Sequence, residues 1–278
     1  MTARGLYLHF IEKLQQVYEK GEAAAITKLV YDYYKIDSKK NNQLATETIS
    51  LLNNKLDDLL MHKPVQYVLG EAWFYNMYFT VNEHVLIPRP ETEELVELAI
   101  QCVQCTSSIV HILDIGTGSG CIPVTIKKNV PPAVVYAIDI SKDAIAVAKK
   151  NAVANNTVVN FLQHDFLNEN NWKDLPVFDI IISNPPYIPI NEKKVLDKNV
   201  TAFEPAVALF VPDENPLLFY EKIARFATTH LKKGGKIFME THENFAKQVA
   251  ALFADSNAVA EVKKDISGKE RMVVVTTD

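Results

Sequence analysis

The chain is 278 residues long, 48% apolar and 23% charged, with a formal net charge of −5. This is the composition of a mixed-charge globular protein, long for one compact core, so a large domain with a smaller companion is expected. Three cysteines are too few for a disulfide scaffold, and no segment reaches the roughly 20 apolar residues that a membrane span needs. The first ten residues lack the apolar core of a signal peptide, so the expected location is cytoplasmic.

Residues 1–70 read as helices. Phe10, Ile11, Leu14, Val17 and Tyr18 recur at helical spacing, as do Ile26, Leu29, Val30 and Tyr33, and again Ile49, Leu52, Leu56, Leu59 and Leu60. Acidic and basic residues are about balanced through Glu71, without the basic excess of a nucleic-acid clamp. The pattern fits a small helical domain that meets a protein partner or serves the structure alone. Residues 71–90 then read as a linker built on a β-hairpin, with Trp73, Phe74, Tyr75, Met77, Tyr78 and Phe79 around the turn-prone Asn76.

A third region, 91–278, follows. Arg89 stands between Pro88 and Pro90, where it could form a surface salt bridge or face a carboxylate of ligand or substrate. Thr92, with the acidic residues after it, is placed to open a helix carrying Leu95, Val96, Leu98 and Ala99. Cys102 and Cys105 form a C-x-x-C inside that helical pattern. With no second pair or spaced histidines, they read as a helix face rather than a metal site, and no metal is expected.

Val110 to Ile115 form an apolar strand that runs into Gly116-Thr117-Gly118-Ser119-Gly120 and then a helix, an arrangement that lets backbone N–H groups approach a ligand. Cys121 stands where a dinucleotide fingerprint would want its last glycine. The next strand, Val134 to Ile138, ends in Asp139, placed to take both hydroxyls of a ribose. A third unit, Val158 to Leu162, leads to Asp165-Phe166, suited to an adenine amino group and ring. The strand Phe178 to Ser183 exits through Asn184-Pro185-Pro186-Tyr187, whose prolines cannot continue a sheet ladder. That stiff turn presents an amide side chain, backbone carbonyls and a tyrosine face to a planar amine or amide. Helices and strands alternate onward through Leu217–Leu231 and Gly235–Glu240 to a closing strand pair near Val259–Val262 and Met272–Val275. The expected fold is a doubly wound α/β sheet with helices on both faces and its ligands beyond the carboxyl ends of the strands.

The Gly116–Gly120 loop, Asp139 and Asp165-Phe166 resemble those of class I, Rossmann-like, S-adenosylmethionine-dependent methyltransferases. Asn184-Pro185-Pro186-Tyr187 resembles the motif of members that methylate nitrogen on planar groups. Pro64-Val65-Gln66-Tyr67, Ile87-Pro88-Arg89-Pro90-Glu91-Thr92, the Asn-Pro-Pro-Tyr and Phe203-Glu204-Pro205 fall in the order seen in the HemK/PrmC family of release-factor glutamine methyltransferases. The resemblance implies methylation of the side-chain amide nitrogen (N5) of the glutamine in the Gly-Gly-Gln motif of class 1 peptide chain release factors. It also implies that the helical front domain recognises the substrate. Gly116, Thr117, Gly118, Ser119 and Gly120 would hold the methionine part of S-adenosylmethionine, Asp139 the ribose, and Asp165 and Phe166 the adenine, with S-adenosylhomocysteine as product. Asn184, Pro185, Pro186 and Tyr187 would hold the glutamine, both amide protons being accepted by Asn184 Oδ1 and the Pro185 carbonyl, and Asn184 would touch the cofactor as well.

The chain departs from the family pattern at Ala202, where arginine is frequent, at Thr241-His242 after Glu240, and in Phe210 to Asn215, which lacks the usual glycines. His242 has no evident partner and reads as a surface or packing residue. An amino methyltransferase acting on adenine or guanine of nucleic acid is the competing enzyme reading. It needs a basic phosphate groove, which a net acidic chain does not advertise. A binding module without turnover would have no need of the full set Gly116, Gly118, Gly120, Asp139 and Asn184. A nicotinamide dehydrogenase fits the glycine spacing least.

Overall fold

The structure is a computed structural model that describes residues 1–104, 109–254 and 258–278. Cys105 lies outside the described residues. The chain divides into two compact units, Met1–Glu71 with Asp197–Phe203, and Ala72–Leu196 with Glu204–Asp278.

The first unit contains helices α1 (Ala3–Leu14), α2 (Lys20–Tyr33), α3 (Thr46–Leu60) and α4 (Val65–Leu69). Thr2 caps α1 by accepting a hydrogen bond from the Gly5 N–H. Leu6, Phe10 and Leu14 of α1 pack with Leu52, Leu56 and Leu59 of α3 in one apolar cluster. In α2 the buried stripe differs from the expected one. Ala23, Ile26, Thr27, Val30 and Tyr31 face inward, while Leu29 and Tyr33 are exposed. Thr27 tolerates burial because its hydroxyl donates to the Ala23 carbonyl at 2.8 Å, one turn back. Small Ala23 lets the helices approach, a preference that an apolar count overlooks.

The second unit opens with the hairpin β1 (Glu71–Phe74) and β2 (Met77–Thr80), joined by Tyr75 and Asn76 at φ 46° and 61°. Two successive positive φ values make the tight turn whose twist matches the strands. Helix α5 (Pro90–Gln104) starts two residues before the expected opening at Thr92, because proline is preorganised for a first helical position. The sheet strands and their crossovers follow in order: β3 (His111–Ile115), α6 (Cys121–Asn129), β4 (Val134–Asp139), α7 (Lys142–Ala154), β5 (Asn160–Gln163) and β6 (Phe178–Ser183). A short parallel pair, β7 (Ile188–Pro189) and β8 (Phe210–Val211), flanks α8 (Lys198–Phe203) and α9 (Ala206–Leu209) in sequence. The chain closes through α10 (Leu218–His230), β9 (Leu231–Glu240), α11 (Ala246–Ala251), β10 (Ala258–Lys264) and β11 (Glu270–Thr277).

Among the described residues, seven strands form one sheet in the order β10-β11-β9-β6-β3-β4-β5. The five from β9 to β5 run parallel; β11 runs antiparallel to β9, and the edge strand β10 runs antiparallel to β11, in the direction of the five. Parallel strands need cover on both faces, and successive residues supply it. Ile112 packs with α5 and α6 on one side, whereas its neighbour Leu113 packs with α10 on the other. The expected α/β sheet with helices on both faces, preceded by helices and a hairpin, is therefore observed. Strand order reverses beside β3, with β4 and β5 on one side and β6 and β9 on the other. A doubly wound sheet opens its ligand crevice at that point, beyond the carboxyl ends of the strands.

Candidate active site

A cleft with about 850 Å³ of atom-free space, counting solvent at its mouth, lies at the switch point. Gly116 and Gly118 reach it after β3, Asp139 after β4, Asp165 and Phe166 after β5, and Asn184 and Pro186 after β6. Leu86, Ile140, Val207 and Phe219 give it apolar walls. Sequence reasoning had not placed any of these four.

The glycine loop serves two ends. Gly116, Gly118 and Gly120 all have positive φ, at 78°, 52° and 79°, which side chains resist. Gly116 and Gly118 line the cleft, but Gly120 does not: a Cβ there would stand 2.9 Å from Ala148 Cβ, so this glycine lets α6 and α7 pack closely. Thr117 and Ser119 are buried and absent from the lining. The loop is pinned from below, with the Gly116 and Thr117 N–H groups both donating to the Ile138 carbonyl and Asn151 donating to the Ser119 carbonyl at 2.8 Å.

Asp139 accepts from the Gly118 N–H at 2.8 Å through Oδ2 and from the Ser141 N–H at 2.9 Å through Oδ1. Each oxygen keeps a lone pair for a further donor. Burial raises its pKa, while backbone N–H groups of Ser141, Gly118 and Ile140 pull the other way. Asp165 is held by one such bond, Leu167 N–H to Oδ1 at 3.0 Å. The Phe166 ring packs on Trp172 and Phe226, both at 5.5 Å between centroids, so core contacts occupy much of it.

Asp114, at the end of β3, is fully buried, and among the described residues neither carboxyl oxygen has a partner at hydrogen-bond geometry, although the Thr117 hydroxyl is close by. Burial pushes its pKa up to about 7, and the neighbouring Thr117 hydroxyl offsets this only in part.

At the other end, β6 and β9 run in parallel register with Ser183 beside Met239, so Asn184, the first residue past β6, comes level with Glu240, the last residue of β9. Asn184 Nδ2 donates to Thr92 Oγ1 at 3.0 Å, and Thr92 in turn donates to Glu240 Oε2 at 2.6 Å. The Tyr187 hydroxyl donates to Glu240 Oε1 at 3.3 Å, and the Tyr220 hydroxyl donates to the Glu240 carbonyl at 3.0 Å. Thr92 and Glu240 are 2% and 1% exposed, so this network is shielded from water. Burial pushes Glu240 up to about 7, opposed by Thr92, Arg271 and Tyr187 and reinforced by Glu91. Burial also raises Tyr187, with Glu240 adding to the effect. Pro185 is buried, and neither it nor Tyr187 lines the cleft.

The structure brings Gly116, Gly118, Asp139, Asp165, Phe166, Asn184 and Pro186 to one cleft, while Thr117, Ser119 and Gly120 stand behind it. His84, Ser141 and His164 also line the cleft and carried no sequence signal. Thr92 read only as a helix opener, and Glu240 only as the charged residue ending the apolar run Ile237-Phe238-Met239; their joint hydrogen bonding to Asn184 was not foreseen. Arg89 is taken by Glu204 at 2.5 Å, and Glu204 also accepts from the Ile87 N–H at 3.1 Å. Arg89 thus ties the segment before α5 to the segment after α8. His242 has a partner after all: its Nε2 lies 3.4 Å from Glu192, and the ring packs on Tyr187 and Phe245. Among the described residues, no group of three or more His, Cys, Asp or Glu could hold a metal ion, and no helix is long and apolar enough to cross a membrane.

The family model described as "Methyltransferase small domain" matches residues 96–204. The chain is 39% identical to the release factor glutamine methyltransferase of Flavobacterium psychrophilum, with 99% of each chain covered. It is 38% identical to the protein of that name from Streptococcus pneumoniae, over 99% of this chain and 98% of the other. The corresponding Bacteroides thetaiotaomicron protein is 37% identical, over 94% and 95%. Among solved structures, a methyltransferase from Pyrococcus furiosus matches at a TM-score of 0.53 and 16% identity, covering 81% of this chain and 98% of that one. This last likeness is one of fold.

Proposed function

The chain belongs to the release factor glutamine methyltransferases, and from that membership we propose how its cleft works. The enzyme is an S-adenosylmethionine-dependent protein-glutamine methyltransferase. Its target is the side-chain amide nitrogen, N5, of the glutamine in the Gly-Gly-Gln motif of class 1 peptide chain release factors. The helical first unit serves as the substrate-recognition domain.

The residues of the cleft suit the cofactor. Asp139, already held by two backbone N–H groups, has lone pairs left for both ribose hydroxyls. Asp165 Oδ2 is suited to the adenine amino group, and Ile140 and Val207, both exposed, offer apolar faces for the ring beside the edge of Phe166. Gly116 and Gly118 admit the methionine part close to the backbone, and Thr117, Ser119 and Gly120 shape the loop behind them. When bound, S-adenosylmethionine supplies a methyl group on a positively charged sulfur, and S-adenosylhomocysteine remains after transfer.

The protein's own task is positioning. An amide nitrogen is a poor nucleophile because its lone pair is delocalised into the carbonyl. Two acceptors, Asn184 Oδ1 and the Pro185 carbonyl, fix both N–H bonds and aim the lone pair, and such orientation is worth up to roughly 7 kcal/mol or more. Pro186 and Tyr187 stiffen the turn and shape the glutamine's resting place. The proton that the methylated nitrogen must lose would pass to water, so no side chain is required as a base. The observation that carries the reading is the bond from Asn184 Nδ2 to Thr92, because it turns the amide oxygen away from Thr92 and leaves it to accept.

The test is transfer of labelled methyl to a purified class 1 release factor, beside its Gln→Ala variant and a panel of DNA and RNA. Label on the intact factor alone is expected. Label on nucleic acid would keep the cofactor assignment and overturn the substrate.

A further inference from the structure

The chain Glu240–Thr92–Asn184 has a direction, and that direction decides what Asn184 offers. An amide side chain presents an oxygen on one side and an NH2 on the other, and the two have nearly the same shape. Packing alone therefore selects weakly between the two orientations, and a hydrogen-bond partner with a fixed role must choose. Thr92 has one proton and donates it to Glu240 Oε2. Its oxygen is then left to accept, which requires Asn184 Nδ2 to face it. The Tyr187 hydroxyl occupies the other carboxylate oxygen of Glu240, so an ionised Glu240, which can only accept, is satisfied on both sides.

We propose that ionised Glu240, acting through the Thr92 hydroxyl, is the positioning device that orients Asn184 with its oxygen toward the substrate amide, and that protonating Glu240 reverses the chain. With a proton on Oε2, Glu240 donates to Thr92 Oγ1. The Thr92 O–H, keeping its proton, then turns to donate to Asn184, whose amide turns to present its oxygen to Thr92 and its NH2 to the cleft. Every group stays hydrogen-bonded in both states, so the reversal strands no buried polar atom. The reversed state faces the substrate NH2 with a donor, and the two repel. This inference rests on the glutamine-methylation reading and deepens it.

The groups facing Glu240 are its two hydroxyl partners, Thr92 on α5 and Tyr187 after β6, then Glu91 on α5, Arg271 on β11, Tyr220 on α10 and Cys121 on α6. Arg271 favours the ionised form and Glu91 opposes it. Tyr187 and Tyr220 have raised pKa values and stay protonated through neutral pH, as does Cys121, pushed up to about 12. Glu240 is thus the member of the network whose charge changes between mildly acidic and mildly basic solution.

The test is the pH profile of single-turnover methyl transfer at saturating cofactor, for the wild type and for Thr92→Val, Thr92→Ser and Glu240→Gln, with cofactor binding by calorimetry as the check on folding. The wild type is expected to lose rate as pH falls, along a one-proton acid limb. Thr92→Val, which keeps the shape and cuts the chain, should bind cofactor within about twofold of the wild type, transfer methyl about tenfold more slowly, and show a flat profile, since one lost hydrogen bond is worth about that factor. Thr92→Ser should restore both rate and limb, and Glu240→Gln should remove the limb. An acid limb that persists in Thr92→Val or Glu240→Gln overturns the proposal, as does a Thr92→Val rate equal to that of the wild type. A wild type that never labels a release factor would instead defeat the parent reading, so the two failures are distinct.

Discussion

At the glycine-loop end of the cleft, the carboxylates proposed to meet the cofactor are held by backbone N–H groups: Asp139 by Gly118 and Ser141, and Asp165 by Leu167. At the Asn184 end the proposed grip rests on side chains drawn from three distant segments, with Thr92 and Glu240 separated by 148 residues. Backbone donors have one polarity and no charge to lose. A relay of hydroxyl, carboxyl and amide groups can reverse and can titrate. The first construction suits a cofactor that must be bound in the same way at every turnover. On the proposed reading, the second places control where the substrate is aligned.

Removing the acceptor itself breaks the second end most severely. Asn184→Ala should lower single-turnover methyl transfer by about 10²- to 10³-fold, the scale seen when one oriented polar group is lost from a reacting centre. The dissociation constant for S-adenosylmethionine should stay within about twofold. Equal turnover in the variant would take the grip away from Asn184. Asp139→Ala is the mirror experiment. It would delete the two charge-assisted bonds proposed to the ribose, each worth about 1.5 kcal/mol or more, and should weaken cofactor binding by about a hundredfold in calorimetry. Turnover at saturating cofactor should recover most of the wild-type value. If both variants damaged binding and turnover alike, the two ends would not be separable.

The same contrast explains what could be read before the structure. The glycine loop, Asp139 and the turn at Asn184 are short-range features in which an apolar run, a glycine or proline and a polar residue follow within a few positions, and the sheet delivers them to one edge. Gly120 belongs to the same pattern, but its Cβ-free approach to Ala148 serves helix packing, which spacing does not distinguish from ligand contact. Thr92 read as a helix opener because its neighbours are acidic. Its real partners come from β6 and β9, and only the register that pairs Ser183 with Met239 brings them together. In α2 the stripe was shifted because Thr27 and Ala23 are buried while Leu29 and Tyr33 are not. Periodicity ranks residues by apolarity, whereas a buried helix face also selects for small size and for hydroxyls that bond within the helix.

One residue crosses the division. Asp114 sits at the glycine-loop end, yet among the described residues no backbone group satisfies its carboxyl, and burial holds its pKa at about 7 against an ordinary value of 3.8. Between those values the folded protein keeps a proton that the unfolded chain has released. The stabilising contribution is therefore complete below about pH 4 and is lost as pH rises toward 7. Glu240, also raised to about 7, adds a slope of the same sign. Asp114→Asn removes one of these two titrations while nearly preserving shape, so the fall in urea midpoint between pH 5 and pH 8 should shrink, by about half if the two groups contribute alike. An unchanged pH slope would mean that Asp114 is ionised in the folded protein at pH 5. Its charge would then have to be balanced within the fold, and this end of the cleft would lean on a buried side-chain charge just as the Asn184 end does.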